Sequence, residues 1–353
     1  MMISVEEMER RIVRYRDLAP CTTAFIDART PGSDKKENFT IIGPGVSENP
    51  GQHVHIKIPH GFNIGGARQP KGCVNSQHSH ETAEVFLVHS GLWAFRWGHD
   101  GTDGEVILKP GDVISIPVHV FRGFECVGGE GSFLFAVLGG DDPGHVTWAP
   151  YVFEQAEKHG LVLTEAGRLI DTAIGETVPE GDAPCAPTTM ADVARLRRMT
   201  HEEMAQCVVS SADYVEAHTD LGGRSTGVVE APVLGPANPN EKIAAAKVAT
   251  RHGFHLRRLS FDGNGRIPPH SRSEEEVAFV HRGAVSLFWG DKFVELGEGD
   301  TATIPKHLVR SWWATSADGA EVFVVRGGDA PGAPRWMDDE AINNKQSAAE
   351  LVS

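Results

Sequence analysis

Short apolar runs separated by turn residues dominate two long stretches of this chain. Segments such as "EVFLVHSG", "LWAFRWG", "DVISIP" and "SFLFAVLGG" are rich in valine, isoleucine and phenylalanine. Glycine, proline and aspartate interrupt them at intervals of roughly ten residues, which is typical of a β-sandwich or jelly roll. The pattern predicts an all-β fold for both stretches.

A helical pattern lies between the two stretches. "YVFEQAEKHGLVLTEAGRLIDTAI" and "TTMADVARLRRMTHEEMAQCVV" contain helix formers with apolar residues three or four positions apart. Thr188 or Thr189 is a candidate N-cap for the second helix, and "GETVPEGDAPCAPTT" is a proline- and glycine-rich linker. The N-terminal "MMISVEEMERRIVRYRD" has no apolar core of the kind found in signal peptides and predicts a short amphipathic helix.

The chain contains an internal repeat. "GFNIGGARQPKGCVNSQHSHETAEVFLVHSG" aligns with "GFHLRRLSFDGNGRIPPHSRSEEEVAFVHRG", so that His78 matches His270 and Glu84 matches Glu276. Two shorter pairs follow, "PGDVISIPVHVFRGF" with "EGDTATIPKHLVRSW" and "GGDDPGHVTW" with "GGDAPGAPRW". Repetition over this distance indicates two copies of one domain. We therefore expect a helical arm at 1–40, a barrel at 41–150, a helical linker at 151–224, a second barrel at 225–338 and a tail at 339–353.

Charge and composition narrow the classes of partner. The formal net charge of −15 disfavours nucleic acid and anionic membranes, because both bind basic surfaces. No apolar run approaches the roughly 20 residues that cross a bilayer. The five cysteines form no CxxC pair, which argues against a zinc ribbon or a disulfide scaffold and fits the reducing cytoplasm.

A cluster of candidate metal ligands occupies the first copy. His78, His80 and Glu84 share one parity, so a continuous or mildly bulged strand would direct all three to the barrel interior. Burying two imidazoles and a carboxylate is costly unless they are paired or coordinated. Two histidines and a carboxylate form the facial set of non-haem Fe(II) enzymes, and Zn, Mn or Ni could bind the same set. The alternative is that the histidines lie on the surface of an ordinary strand.

The same stretch carries a resemblance to a known family. "GCVNSQHSHETAEVFLVHSG" fits cupin motif 1 at every fixed position: glycine, HxH, glutamate and the closing glycine. The chain resembles a bicupin, with two jelly-roll (double-stranded β-helix) barrels joined by a partly helical linker. Its architecture is similar to that of bicupin ring-cleaving dioxygenases of the gentisate and 1-hydroxy-2-naphthoate group. The resemblance implies one divalent metal on His78, His80 and Glu84, in the N-terminal barrel only. We expect this metal to be Fe(II).

Motif 2 departs from the family pattern. "GDVISIPVHVFR" keeps Gly111 and Pro117, but His119 stands at the second glycine and Arg122 at the last metal histidine. A guanidinium stays charged and does not ligate a metal. The three remaining ligands could hold the metal, His119 could substitute as the fourth, or the site could be metal-free. Arg122 could bind a substrate carboxylate, phenolate or enolate, or form a structural salt bridge with Glu84 or another acid. Pairing with Glu84 would weaken the metal interpretation.

The second copy is degenerate. His270 and Glu276 remain, whereas Arg272 and Arg310 replace the other two histidine positions of the family. One imidazole, one carboxylate and two guanidinium groups do not make a metal site. We expect this barrel to be structural, or at most an anion pocket.

Two further residues are candidates for substrate contacts. Trp93 alternates with other aromatic residues on one face of its strand, and could line a cavity for an aromatic substrate or fill the core. His55 lies on a strand with His53 and Lys57 of the same parity, and could contact substrate or belong to a solvated face.

These observations favour a mononuclear metal enzyme. The first hypothesis is a dioxygenase, with Fe(II), for a small phenolic or carboxylated compound, in which Arg122 and His119 act in catalysis and Arg122, Trp93 and His55 bind the anionic or aromatic substrate. The second is a redox-neutral lyase, isomerase or decarboxylase that uses a divalent metal. The third is a non-catalytic bicupin that binds a small anion. Exposed edge strands favour a homo-oligomer.

Overall fold

The computed structural model describes residues 2–337, so the predicted tail at 339–353 lies outside the described residues. The chain forms two compact units. One contains residues 17–213, and the other combines residues 2–16 with residues 214–337. Strands predominate in both units, which confirms the all-β prediction. The five-part division drawn from the repeat stays a prediction.

The first fifteen strands include those of the N-terminal barrel. In chain order they are β1 (Ile12–Val13), β2 (Glu37–Ile42), β3 (Val54–Ile56), β4 (Phe62–Gln69), β5 (Val74–His80), β6 (Glu84–Val88), β7 (Leu92–Trp97), β8 (Gly104–Leu108), β9 (Val113–Ile116), β10 (Arg122–Gly128), β11 (Ser132–Gly139), β12 (Val146–Trp148), β13 (Leu161–Leu163), β14 (Leu169–Asp171) and β15 (Val208–Val209).

Two sheets form the N-terminal barrel. One runs β12-β5-β10-β7-β8, and the other runs β15-β9-β6-β11-β4-β2-β3. All of these pairs are antiparallel except β2 with β3. Inward side chains of both sheets, such as Phe86 and Trp97, pack into one core. Alternation along each strand explains this core, because every second side chain points into the barrel.

The C-terminal barrel has the same plan. Its strands are β16 (Thr226–Leu234), β17 (Phe254–Ser271), β18 (Glu276–Arg282), β19 (Val285–Trp289), β20 (Lys292–Leu296), β21 (Thr301–Ile304), β22 (Arg310–Ala314), β23 (Ala320–Gly327) and β24 (Arg335–Trp336). They join in one sheet with the order β1-β21-β18-β23-β17-β22-β19-β20, to which β16 and β24 add along β17. The long β17 spans the region that β4 and β5 share in the first barrel.

Equivalent hairpins in the two barrels depend on glycine. Gly91 and Gly283 have φ values of 81° and 73°, in the region that side chains with a Cβ rarely adopt. A Cβ on Gly91 would overlap Ser132, and one on Gly283 would overlap the carbonyl oxygen of Gly319. The tight turn therefore accounts for the closing glycine in both copies of the repeat.

Short helices occupy the arm and the linker. They are α1 (Val5–Glu9), α2 (Pro150–Lys158), α3 (Met190–Val193), α4 (His201–Ala205) and α5 (Asp220–Arg224), with 3₁₀ turns at Tyr15–Asp17, Thr172–Ile174, Ser211–Asp213 and Pro239–Glu241. Thr189 is the N-cap of α3, as predicted. The helix expected across residues 151–174 is wrong in its second half, because β13 and β14 form a hairpin there. None of the described helices is both long and apolar enough to cross a membrane.

The structure extends the repeat to a segment that comes before each barrel. "ISVEEMERRIVRYRD" and "MTHEEMAQCVVSSAD" each fold as a capped helix, a two-residue strand and a 3₁₀ turn. The first segment pairs β1 with β21 of the C-terminal barrel, and the second pairs β15 with β9 of the N-terminal barrel. In each case a barrel tryptophan, Trp289 or Trp97, donates its indole N–H to the segment at 3.0 Å. We call these two segments, residues 3–17 and 199–213, the arms. Each arm packs on the barrel that it does not directly precede.

We expect the two arms to stabilise different barrels. Met8 and Met204 occupy equivalent positions and are 0% and 1% exposed. Truncation of a buried methionine to alanine costs about 3 kcal/mol. Met8→Ala should lower the protection of amides in residues 254–327 against hydrogen exchange, and Met204→Ala should do so in residues 62–139. Loss of protection in the opposite barrel for either variant would contradict this assignment.

Candidate metal centre

Three potential metal ligands meet inside the N-terminal barrel. His78 and His80 lie at the end of β5, and Glu84 begins β6. One donor atom from each side chain lies within 4.8 Å of the donor atoms of the other two. All three residues are buried. The structure therefore assembles the cluster expected from the sequence.

The route by which the chain builds the cluster differs from the expectation. We expected one continuous strand, but residues 81–83 break it, and β5 and β6 belong to different sheets. His78 pairs with Trp148 and Arg122 on neighbouring strands, whereas Glu84 pairs with Leu138 of the other sheet. The three side chains meet because the chain crosses from one sheet to the other just after His80, and both sheets point these residues inward.

Both imidazoles are held in the neutral form. Nδ1 of His78 lies 2.7 Å from the carbonyl oxygen of Ser76, an acceptor, so the ring carries its proton there and leaves the Nε2 lone pair free. Nε2 of His80 lies 3.6 Å from Glu84 Oε2, and its buried Nδ1 has no hydrogen-bond partner among the described residues. Burial, aided by the positive charge of Arg122, holds the pKa of both rings well below the ordinary value. Neutral imidazole is the form that binds metals.

Arg122 forms an ion pair with Glu84. Its Nη2 donates to Oε2 of Glu84, and its Nη1 donates to the carbonyl oxygen of His78 at 3.0 Å. Burial raises the pKa of Glu84, while the charge and hydrogen bond of Arg122 oppose that shift. The structure thus shows the salt-bridge alternative. No described residue donates a hydrogen bond to the other oxygen, Oε1 of Glu84.

The cluster forms part of the wall of a cavity of about 70 Å³. A single water molecule needs roughly 10–15 Å³ on this scale, so several waters or a small organic ligand can enter. The wall is mainly aromatic, aliphatic and neutral polar. It is formed by Phe25, Asn38, Phe39, Thr40, Gly45, Val46, Ser47, Gln52, Gly65, Gly66, Ala67, Asn75, His78, His80, Glu84, Phe86, Phe124, Ala136, Leu138, Val146 and Trp148.

His119 does not join the cluster. It is exposed, and its φ of 59° places it in the left-handed conformation that the family glycine normally provides. Its backbone N–H donates to the carbonyl oxygen of His80 at 3.0 Å. The turn therefore directs the ring away from the barrel interior, so the geometry gives no support to His119 as a ligand or catalytic group.

The expected substrate contacts also lie elsewhere. Trp93 is fully buried in the hydrophobic core, where its indole N–H donates to Ser90, and it does not line the cavity. His55 is half-buried beyond the cavity wall, and its ring contacts the backbone of Thr40 and Ala19. Arg122 lies behind the cluster and is not part of the wall. The parity of a strand position identified inward faces but could not separate core from cavity.

A buried carboxyl supports the cluster from outside the cavity. Glu48 accepts the indole N–H of Trp148 at 2.6 Å and the backbone N–H of Ile26 at 2.7 Å. The Trp148 ring lies 5.1 Å from the His78 ring. Burial raises the pKa of Glu48 to about 8. No motif pointed to Glu48, because its partners come from distant parts of the chain.

The equivalent region of the C-terminal barrel is a network of ion pairs. Glu276 contacts Arg310 at 2.9 Å, Arg326 at 2.7 Å and Arg272 at 3.3 Å. The guanidinium groups hold the pKa of Glu276 well below its ordinary value despite its burial. In the described part of the chain, the metal-ligand cluster of histidine and acidic residues is the one in the N-terminal barrel.

Comparisons with known proteins agree with this architecture. A family model described as "Cupin domain" matches residues 257–326, within the C-terminal barrel. No curated protein matches the sequence. The fold is similar to that of Lactobacillus farciminis oxalate decarboxylase in a formate complex, with a TM-score of 0.54, 9% identity and coverage of 94% of this chain and 90% of that one.

A second solved structure gives the same picture. Bacillus subtilis oxalate decarboxylase at pH 4.6 has a TM-score of 0.52 and 11% identity, and the match covers 95% of this chain and 82% of that one. At this identity the similarity concerns the fold, and it extends over both barrels. Together with the repeated motif, it shows that this chain has a bicupin fold, with a match to the cupin domain model in its C-terminal barrel.

Proposed function

We propose that the N-terminal barrel is a metal-dependent, redox-neutral catalyst, a lyase, isomerase or decarboxylase, that acts on a small carboxylated compound. The observation that carries the proposal is the buried His78–His80–Glu84 cluster on a small cavity with the fixed cation Arg122 directly behind it. The C-terminal barrel has no equivalent role, because arginines occupy its ligand positions.

The chemistry of the donor set fits a divalent ion. Two neutral imidazoles offer ring nitrogens, and Glu84 has an oxygen that no described residue uses. A small cation would also relieve the cost of burying these polar groups with incomplete hydrogen bonding. His78, His80 and Glu84 would hold the ion, and open positions would remain because the protein supplies three ligands.

Arg122 favours redox-neutral chemistry over the dioxygenase hypothesis. A fixed positive charge within contact distance of Glu84 in a buried site raises the energy of each additional positive charge on a bound ion. It therefore disfavours a cycle in which the ion is oxidised, and it favours the build-up of negative charge on a substrate. When bound, the metal would supply Lewis acidity for that negative charge.

The residues of the chain orient the site and exclude water. Arg122 fixes Glu84 through Oε2, while Ser76 and the Trp148 ring fix the orientation of His78. Phe86, Phe124 and Leu138 surround the cluster with apolar surface. The low-polarity wall strengthens every electrostatic interaction with a bound substrate. The fold that the chain shares with oxalate decarboxylases supports this reaction class but does not identify the substrate.

A specific observation also favours a second candidate, a metal-free bicupin that binds a small ligand. Arg122 already neutralises Glu84, so the cluster has a counter-charge without a metal. Metal content therefore separates the two candidates.

Purified protein expressed with iron, manganese, nickel and zinc available should contain about one divalent ion per chain. His78→Ala should lose this ion, because the cluster falls to two ligands. The matched control His270→Ala changes the equivalent residue of the other barrel and should retain it. Elemental analysis after dialysis measures the content and identifies the ion. A metal-free wild type would refute the proposal and support the second candidate.

Turnover should not depend on dioxygen. Small carboxylic acids incubated with metal-loaded protein should release carbon dioxide, eliminate a group or isomerise at the same rate in anaerobic and aerated buffer. Mass spectrometry measures the rate of product formation, and an oxygen electrode measures the uptake of dioxygen. Stoichiometric dioxygen uptake with a phenolic or carboxylated substrate would instead establish the dioxygenase hypothesis.

In the metal-free protein, buried His80 should contribute a loss of stability as the pH falls below about 6.5. The unfolded chain takes up protons at His80 near its ordinary pKa, whereas the folded ring stays neutral because burial lowers its pKa. His80→Gln should make the dependence of unfolding free energy on pH shallower, by at most about 1.4 kcal/mol per pH unit. Urea unfolding at pH 5.0 to 7.5 measures both slopes. Equal slopes would show that His80 is protonated in the folded protein.

A further inference from the structure

We propose that the cavity of the N-terminal barrel is a chamber for the uncharged end of a monocarboxylate, and that Gly65 keeps this chamber open. This inference rests on the proposed function, since the metal centre would take the carboxylate end.

The strand registers establish which positions are equivalent. In the first barrel Gly65 pairs with Thr40 on one side and Ala136 on the other. At the same position of the second barrel, Arg257 pairs with Pro232 and Val324. Leu138 pairs with Glu84 as Arg326 pairs with Glu276. Asn38 pairs with Ala67 as Glu230 pairs with Leu259. Gly65, Leu138 and Asn38 thus correspond to Arg257, Arg326 and Glu230.

In the C-terminal barrel these positions fill the interior with charge. Arg326 contacts Glu230 at 2.8 Å and Glu241 at 2.9 Å, and it is 0% exposed. Arg257 is also 0% exposed and donates to Leu234 and His255. Two long side chains and their carboxylate partners therefore occupy the volume beside Glu276.

In the N-terminal barrel the same volume is the cavity. Gly65, Leu138 and Asn38 all line it, and glycine and leucine replace the two arginines. A Cβ added at Gly65 would meet a single atom within 4 Å, the carbonyl oxygen of Phe39 at 3.3 Å. The space next to Glu84 is therefore free because Gly65 has no side chain.

The wall of the chamber determines the chemistry of its occupant. Among the described residues of the wall, the ionisable ones are His78, His80 and Glu84, which belong to the metal centre. Elsewhere the described wall offers no cationic side chain of its own to a second carboxylate, and an unpaired charge is costly to bury. Asn38, only 8% exposed, has a buried amide nitrogen without a partner among the described residues. It suits a neutral acceptor such as a hydroxyl or carbonyl oxygen.

The test uses two acids with the same carbon chain and different far ends. 2-Hydroxybutanoate should bind metal-loaded wild type at least about tenfold more tightly than malate, because malate would bury an unpaired carboxylate. Gly65→Val should weaken 2-hydroxybutanoate binding at least about tenfold by filling the chamber, with unchanged metal content. The matched control Gly297→Val lies in the other unit, where an added Cβ meets nothing within 4 Å, and should leave binding unchanged.

Titration calorimetry measures binding, and elemental analysis measures the metal separately. Malate that binds as tightly as 2-hydroxybutanoate to metal-loaded wild type would overturn the inference without the need for a variant. Full binding by metal-loaded Gly65→Val would overturn the role of Gly65. Absence of metal from the wild type would instead contradict the proposed function, so the two failures are distinguishable.

Discussion

Each barrel must balance the charges that it buries, and this constraint organises both interiors. In the N-terminal barrel Glu84 pairs with Arg122, and Lys36 pairs with Asp27 at 0% exposure of both side chains. In the C-terminal barrel Glu276 alone contacts three guanidinium groups. A buried ion left without its partner costs several kcal/mol. The two interiors are alternative solutions to this problem on one backbone, a dense ionic network in one case and a sparse set of charges around a cavity in the other.

The sequence predicted the parts of the fold that depend on local pattern. Alternating apolar residues and turn glycines predicted the sheets, and the spacing of motif 1 brought His78, His80 and Glu84 together. The break at residues 81–83 was not predictable, because parity is the same for one strand and for two strands separated by three residues. Arg122 had two possible partners, and only the three-dimensional arrangement places its guanidinium on Glu84 rather than in the cavity.

The predicted roles of Trp93 and His119 each rested on a single sequence feature, which does not determine where the side chain lies in the folded barrel. Trp93 faces inward as its parity predicted, but the interior contains both a packed core and a cavity, and Trp93 lies in the core. His119 occupies a glycine position of the family, and the left-handed backbone required there directs its side chain outward. Gly65 carried no motif signal. Its importance emerges only from its equivalence with Arg257 once the strand registers are known.

Because each arm packs on the barrel that it does not directly precede, the arms affect the order in which the protein can fold during synthesis. Residues 2–16 are made before the N-terminal barrel but belong to the unit whose barrel strands are made after it. They must therefore remain unpaired while the ribosome adds most of the chain. The N-terminal barrel likewise lacks its edge strand β15 until Val209 has emerged. Closing contacts at such sequence separation is slow. The nascent protein therefore exposes an unpaired segment at β1 and an unsealed sheet edge at β9, and exposed edges of this kind favour binding by a chaperone or a second chain.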